Sequence, residues 1–150
     1  MQQIHIMSVG KLNNDYQKIA TDYQKLIKYA IKSTEITYSQ KFPAQQIKQF
    51  EGKLISKFLE EKSCKIVLNI TSQSYDSHEF TKLIDNNLQA GKNIQFIIGG
   101  AFGLDKSIIN QSNIQLSLSK MTMPHQMVKI ILLEQIYRAQ TILENHPYHK

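Results

Sequence analysis

Apolar residues along the chain change their period repeatedly, and each change marks an element. Ile4-His5-Ile6-Met7-Ser8-Val9-Gly10 is mostly apolar and stops at a glycine, as a buried strand does. Ile19, Tyr23, Leu26, Ile27 and Ala30 then recur at helical spacing and predict a helix over residues 14–31. Ile36-Thr37-Tyr38 suits a short second strand. Pro43 opens a second helix with Ile47, Phe50, Leu54, Phe58 and Leu59 on one face. Residues 65–70 form a buried-type strand, and residues 71–76 are polar and turn-like. Phe80, Leu83, Ile84 and Leu88 mark a third helix that ends near Gly91. The apolar strand 94–98 runs directly into Gly99-Gly100-Ala101-Phe102-Gly103. A short helix follows around residues 106–110, and Ile114-Gln115-Leu116-Ser117-Leu118 alternates as a strand. The last helix begins near Pro124 and carries Val128, Ile131, Leu132, Ile136, Ala139, Ile142 and Leu143 as its apolar stripe. Strands alternating with helices predict an α/β fold with a mainly parallel sheet and flanking helices. No repeat, low-complexity tract or linker divides residues 1–150, which read as one domain.

Composition narrows the function classes. The formal net charge is +6, and its distribution is uneven. Eleven lysines against six acids leave +5 in residues 1–75, whereas residues 76–150 carry seven basic residues and six acids. A basic surface favours phosphate-bearing partners such as nucleic acid. No apolar run approaches the roughly 18 residues of a membrane span, and the first residues lack a signal-peptide pattern. The one cysteine, Cys64, has no partner for an internal disulfide, so the expectation is a cytoplasmic protein with a buried, inert thiol. The five histidines show no metal-ligand spacing, and no metal is expected.

Three stretches hold candidate chemistry. Residues 99–103 follow a buried strand, where glycines allow positive φ and close approach of the backbone to a ligand. A tight turn is the simpler reading. The spacing fits neither the dinucleotide fingerprint nor a phosphate-binding P-loop, which disfavours NAD and ATP. Residues 117–126, Ser-Leu-Ser-Lys-Met-Thr-Met-Pro-His-Gln, crowd polar groups where a strand gives way to a helix. They read either as a grip for an adenosine or as an ordinary helix start, in which His125 is a solvated side chain. The ending His146-Pro147-Tyr148-His149-Lys150 is either a frayed terminus or an RNA-binding clasp.

Together these stretches carry a resemblance. Ile97-Ile98-Gly99-Gly100 with Gly103-Leu104, Leu116 through Thr122, Pro124-His125-Gln126-Met127-Val128, Leu133 through Ala139, and Asn145 through Lys150 resemble the RlmH family of SPOUT-class ribosomal RNA methyltransferases. Val9-Gly10-Lys11 and the chain length agree. The likeness is most specific in the C-terminal third, and residues 12–63 match mainly in pattern.

The resemblance implies a SPOUT-type, trefoil-knotted α/β fold, a homodimer, and S-adenosyl-L-methionine as methyl donor. It also implies methylation at N3 of a pseudouridine in 23S rRNA within the large subunit or the ribosome. By position, Leu68, Gly99, Leu118, Ser119, Lys120, Met121, Thr122 and Met123 would hold the donor. Arg138, Tyr148 and His149 would lie near the target nucleotide. Arg138 would stabilise charge, and His149, directly or through water, or water itself would accept a proton, with a plain ion pair from Arg138 to Glu134 as the structural alternative. Gly99→Val is expected to exclude the donor while leaving the protein folded. The chain departs from the family at Asn69, where an Asp is common, and at Ser72-Gln73, where the family often has a glycine. A methyltransferase acting on tRNA and a non-catalytic RNA-binding protein are the competing readings.

Overall fold

The structure, a computed structural model, describes residues 2–150. Five strands and five helices alternate: β1 (Gln3–Val9), α1 (Asn14–Leu26), β2 (Ala30–Ile36), α2 (Ala44–Ser56), β3 (Cys64–Leu68), α3 (Ser77–Gln89), β4 (Ile94–Ile98), α4 (Lys106–Gln111), β5 (Ile114–Leu116) and α5 (His125–Leu143). The strands form one sheet in the order β2-β1-β4-β3-β5, and every pairing is parallel. All five carboxyl ends therefore leave the same edge of the sheet.

Alternation along each strand builds two cores. Ile4, Ile6, Ile66, Ile94, Phe96 and Ile98 turn to one face and meet Ala20 of α1, Phe80 and Ile84 of α3, and Leu132, Leu133, Ile136 and Ala139 of α5. Met7, Val9, Ile36, Val67 and Ile97 turn to the other, against Ile55 of α2 and Ile108 of α4. A fully buried Ile, Leu or Phe contributes about 1.5–3 kcal/mol, so these two layers dominate stability. The helices start where polar side chains can satisfy their free N–H groups. Asn13 accepts from the Tyr16 N–H at 3.1 Å, and Asp76 and Glu79 form a reciprocal capping box.

Three expectations shift. The first helix ends at Leu26, because Ala30–Ile36 pairs along its whole length with Gln3–Val9. Ala30 thus belongs to a strand, and Thr37 and Tyr38 fall beyond it. The second helix stops at Ser56, leaving Phe58 and Leu59 outside. The last strand is only Ile114–Leu116, so Ser117 and Leu118 join the following loop.

Buried polar residues tie the layers together. The Gln140 side chain accepts from the Lys28 N–H at 2.6 Å and donates to the Leu26 carbonyl at 3.2 Å, which fastens the end of α1 to α5. His5 is buried in the sheet. Its Nδ1 lies 3.4 Å from Gln95 Nε2, an amide donor, and its Nε2 lies 2.8 Å from Thr34 Oγ1. This arrangement suits the neutral ring with its proton on Nε2. Burial, reinforced by Lys32 and opposed by Glu60, holds the His5 pKa below its ordinary 6.5. The unfolded chain then binds more protons than the folded one once the pH falls below about 6.5, so stability declines from there downward. A His5→Asn variant should show a flatter stability–pH profile than the parent between about pH 7 and pH 5 in denaturant titrations. Parallel profiles would show that His5 does not carry the dependence.

Candidate active site

The carboxyl ends of β3, β4 and β5 release three loops that enclose a cavity of about 390 Å³. Leu68 and Asn69 come from the first, Gly99 through Leu104 from the second, and Ser117, Leu118, Ser119, Met121, Thr122 and Met123 from the third. Ligands of open parallel sheets lie at this edge, and the volume falls within the roughly 300–1,000 Å³ of small-molecule sites.

Each loop is set by local chemistry. The Asn69 N–H donates to the Leu116 carbonyl at 2.9 Å, and Ser117 N–H donates to the Gln73 carbonyl at 2.9 Å. Residues 69–76 are therefore laced to the end of β5. Asn69 Oδ1 accepts from the Thr71 N–H at 3.2 Å and from its hydroxyl at 3.0 Å. That turn needs an acceptor oxygen, which an amide supplies as well as a carboxylate does. In the third loop, Ser117 Oγ donates to the Ser119 carbonyl at 2.6 Å and Ser119 Oγ accepts from the Met121 N–H at 3.0 Å. The hydroxyls that suggest a ligand grip thus also build the loop.

The glycines of the second loop have distinct reasons. A Cβ on Gly99 would lie 2.9 Å from the Gly103 carbonyl carbon and 3.0 Å from its oxygen. The obstacle is the loop's own backbone rather than the ligand space inferred from the sequence. Gly103 has φ +82°, in the region that favours glycine.

Of the candidate donor residues, Leu68, Gly99, Leu118, Ser119, Met121, Thr122 and Met123 line the cavity. Lys120 shares their loop, but its side chain is exposed and outside the lining. His125 is half-buried in the wall of the cavity rather than solvated. Asn69, Ile70, Leu104, Ile109 and Val128 also line it without having been singled out as ligand contacts. Asn69, Ile70 and Leu104 lie in loops that follow strands and Val128 at the start of the last helix, whereas Ile109 belongs to α4 and carries no such sign.

Arg138, Tyr148 and His149 come together elsewhere. The chain after α5 folds back on the helix. Tyr148 lies 4.8 Å from the Tyr137 ring and 4.9 Å from the Arg138 guanidinium, and its hydroxyl donates to Glu134 at 3.0 Å. Arg138 Nε also donates to Glu134, at 3.0 Å, in the i,i+4 ion pair weighed from the sequence. Arg138 Nη1 lies 3.1 Å from His149 Nδ1, and His149 stacks edge-on against His78 at 5.0 Å. Arginine has donors only, so Nδ1 accepts and the neutral ring carries its proton on Nε2. The lone pair that would take a substrate proton is engaged by Arg138 in this arrangement. Partial burial and the bond to Glu134 push Tyr148 up to about 12, so it stays protonated at neutral pH. Its own hydrogen bond to Glu134 raises Arg138 above its ordinary value.

His125 and Arg138 lie on one helix, about 20 Å apart along its axis at 1.5 Å per residue. The cavity and the tail cluster are thus separate within one chain. Among the described residues, no group of three or more His, Cys, Asp or Glu is arranged to hold a metal, and no helix is long and apolar enough to cross a membrane.

A parallel sheet with helices on both faces, laced loops after β3 and β5, and a cavity at the carboxyl edge form the ligand site of an α/β protein. The family described as predicted SPOUT methyltransferases matches residues 2–149, and the chain belongs to it. A protein of Clostridium botulinum (strain Hall) named ribosomal RNA large subunit methyltransferase H is 41% identical, covering 98% of this chain and 99% of that protein. Ribosomal RNA large subunit methyltransferase H 1 of Clostridium perfringens (strain SM101) is 38% identical over the same shares. Among solved structures, one from Bordetella pertussis described as a probable methyltransferase covers 92% of this chain and 94% of its own, with a TM-score of 0.62 at 11% identity. Another, from Haemophilus influenzae and described as a probable methylase family protein, covers 98% and 70%, with a TM-score of 0.59 at 10% identity. These structures share the fold.

Gly99→Ala should lower stability by about 1–3 kcal/mol, the usual cost of overpacking, because Gly103 is backbone and cannot rotate away. Thermal denaturation checks this. An unchanged melting temperature would mean that the glycine loop shifts freely.

Proposed function

We propose that this chain is a cytoplasmic, single-domain enzyme that transfers a methyl group from S-adenosyl-L-methionine to N3 of a pseudouridine in 23S rRNA, on the large subunit or the ribosome, and that it works as a homodimer. The observation carrying this reading is the cavity at the ends of β3, β4 and β5, enclosed by Leu68, Gly99 and residues 118–123. Its fit to the donor rests on size, an apolar floor, and a glycine loop in which backbone replaces side chains. The full-length relatives named for the ribosomal large subunit support the substrate, and so does the basic excess of residues 1–75. The trefoil knot in this reading follows from the family to which the chain belongs.

The bound donor supplies an electrophilic methyl carbon on a sulfonium. The protein's task is to align that carbon with the attacking nitrogen and to accommodate charge as the nitrogen loses its proton. Leu68, Gly99, Leu118, Ser119, Met121, Thr122 and Met123 orient the donor, with Lys120 in the same gripping loop. Arg138, with Glu134 fixing its guanidinium, faces the target base and stabilises negative charge on a ring carbonyl. Tyr148 offers a stacking face. His149 accepts the proton once Arg138 turns from it to the substrate.

The roughly 20 Å between cavity and tail cluster makes the homodimer part of the mechanism: one protomer's tail completes its partner's site. Incubating the protein and labelled donor with ribosomes, subunits, free rRNA and tRNA, then locating the label, tests the substrate. Label in 23S rRNA is expected. Label in tRNA, or RNA binding without transfer, would replace this reading.

Removing residues 148–150 should leave fold and donor affinity intact and cut single-turnover methyl transfer at least about a hundredfold, the scale of a lost acid–base group. Near-normal transfer would make the tail a passive end. Mixing a Gly99→Val protein, whose displaced glycine loop spoils the donor site, with an Arg138→Ala protein should restore part of the activity, because one hybrid site keeps both halves. Heterodimers without recovery, verified by mass spectrometry, would place the whole site within one chain.

A further inference from the structure

Beneath the glycine loop lies a carboxylate that the reaction described above does not use. Glu51 of α2 is only 5% exposed. Tyr38 donates its hydroxyl to Glu51 Oε2 at 2.7 Å. Oε1 has no hydrogen-bond partner, and among the described residues it is the one buried side-chain polar atom in that condition. Glu51 also takes part in none of the ion pairs among the described residues. A buried carboxylate with one neutral partner is costly, and a fold keeps it where something compensates.

Its position indicates what does so. A Cβ on Gly100 would lie 3.3 Å from Oε1 and 3.4 Å from Oε2. Gly100 in turn lines the cavity. A single residue without a side chain therefore separates the carboxylate from the cavity. The carboxylate is buried, and Tyr38 is its hydrogen-bond partner. At such a site a charge acts over several ångströms far more strongly than at the surface.

We propose that Glu51 is a specificity-determining residue that makes the cavity favour the cationic donor over the spent product. The proposal rests on reading the cavity as the S-adenosyl-L-methionine site. Donor and product share the adenosine and the amino-acid group. They differ by one methyl and by the charge on sulfur, which is positive in the donor and neutral in S-adenosylhomocysteine. A fixed negative charge under Gly100 attracts the first and is indifferent to the second. It thereby weakens product inhibition. Tyr38 orients the carboxylate through Oε2 and leaves Oε1 directed at the loop.

Calorimetric titration of the intact protein and of Glu51→Gln with both compounds tests this. The amide keeps the shape and the bond from Tyr38 while removing the charge. Donor affinity should fall by roughly five- to twentyfold, as expected for losing a buried charge several ångströms away. Affinity for S-adenosylhomocysteine should stay within about twofold, and the loss of preference should change little with added salt, because the charge is buried. Equal losses for both compounds would make Glu51 a packing residue and overturn the proposal, as would no change for either. Should Glu51→Gln melt below the assay temperature, Glu51→Asp, which draws the carboxylate back by one methylene, serves instead. An unchanged donor-to-product ratio in that variant would equally overturn it. If the parent protein binds neither compound, the donor-site reading itself falls, an outcome distinct from a failure confined to the Glu51 variants.

Discussion

The pairing of β5 with β3 is only three residues long, from Ile114 opposite Ile66 to Leu116 opposite Leu68. It is continued by the bonds from Asn69 to Leu116 and from Ser117 to Gln73, which bind the loop after β3 to the loop after β5. Because β4 lies on the other side of β3, three strand ends converge on one point. Every wall of the cavity leaves from there. The same crossing directs the chain from Met123 into α5, which then fills the groove between α1 and α3. Loss of this short ladder would remove both the cavity and the anchor of the longest helix.

Within that frame the walls are backbone-rich. Gly99 is required by contact with Gly103, and Gly103 by its own positive φ. Ser117 and Ser119 spend part of their hydrogen-bonding capacity on holding the third loop. Polar groups are thus committed to shape before any ligand arrives, and binding costs less ordering as a result. The tail cluster follows the same logic at the other end of α5. Glu134 holds Arg138 and Tyr148, and Arg138 meets His149, so the side chains nearest the proposed substrate are fixed by each other. The chain belongs to a methyltransferase family, and near full-length relatives are named for the ribosomal large subunit.

Much of this was legible in the residues. Ile94–Ile98 is strongly apolar and ends at a glycine, and it is the strand expected. The last helix begins one residue after Pro124, since proline presets the φ of a helix start. The harder region was residues 26–38. Leu26, Ile27 and Ala30 continue a helical period by coincidence, and nothing local reveals that Ala30–Ile36 has a parallel partner near the start of the chain. Leu26 is in fact 51% exposed, and the apparent stripe ends there. Phe58 likewise extends the period of α2 yet lies beyond its end, beside His5.

The sequence by itself determined the alternation of strands and helices, the glycine turn after β4, the hydroxyl-rich loop before α5, and the family to which these belong. Those features depend on periodicity and on φ preferences, which act over a few residues. Only the tertiary structure decided that Gly99 is needed for backbone contact, that Asn69 serves a turn that needs no charge, and that His149 gives its lone pair to Arg138. It alone placed the Arg138 cluster about 20 Å along the helix from the cavity, and it alone set Glu51 beneath Gly100. These depend on which distant residues share a strand edge or a helix face, and parallel pairing across long crossovers leaves no trace in local sequence pattern.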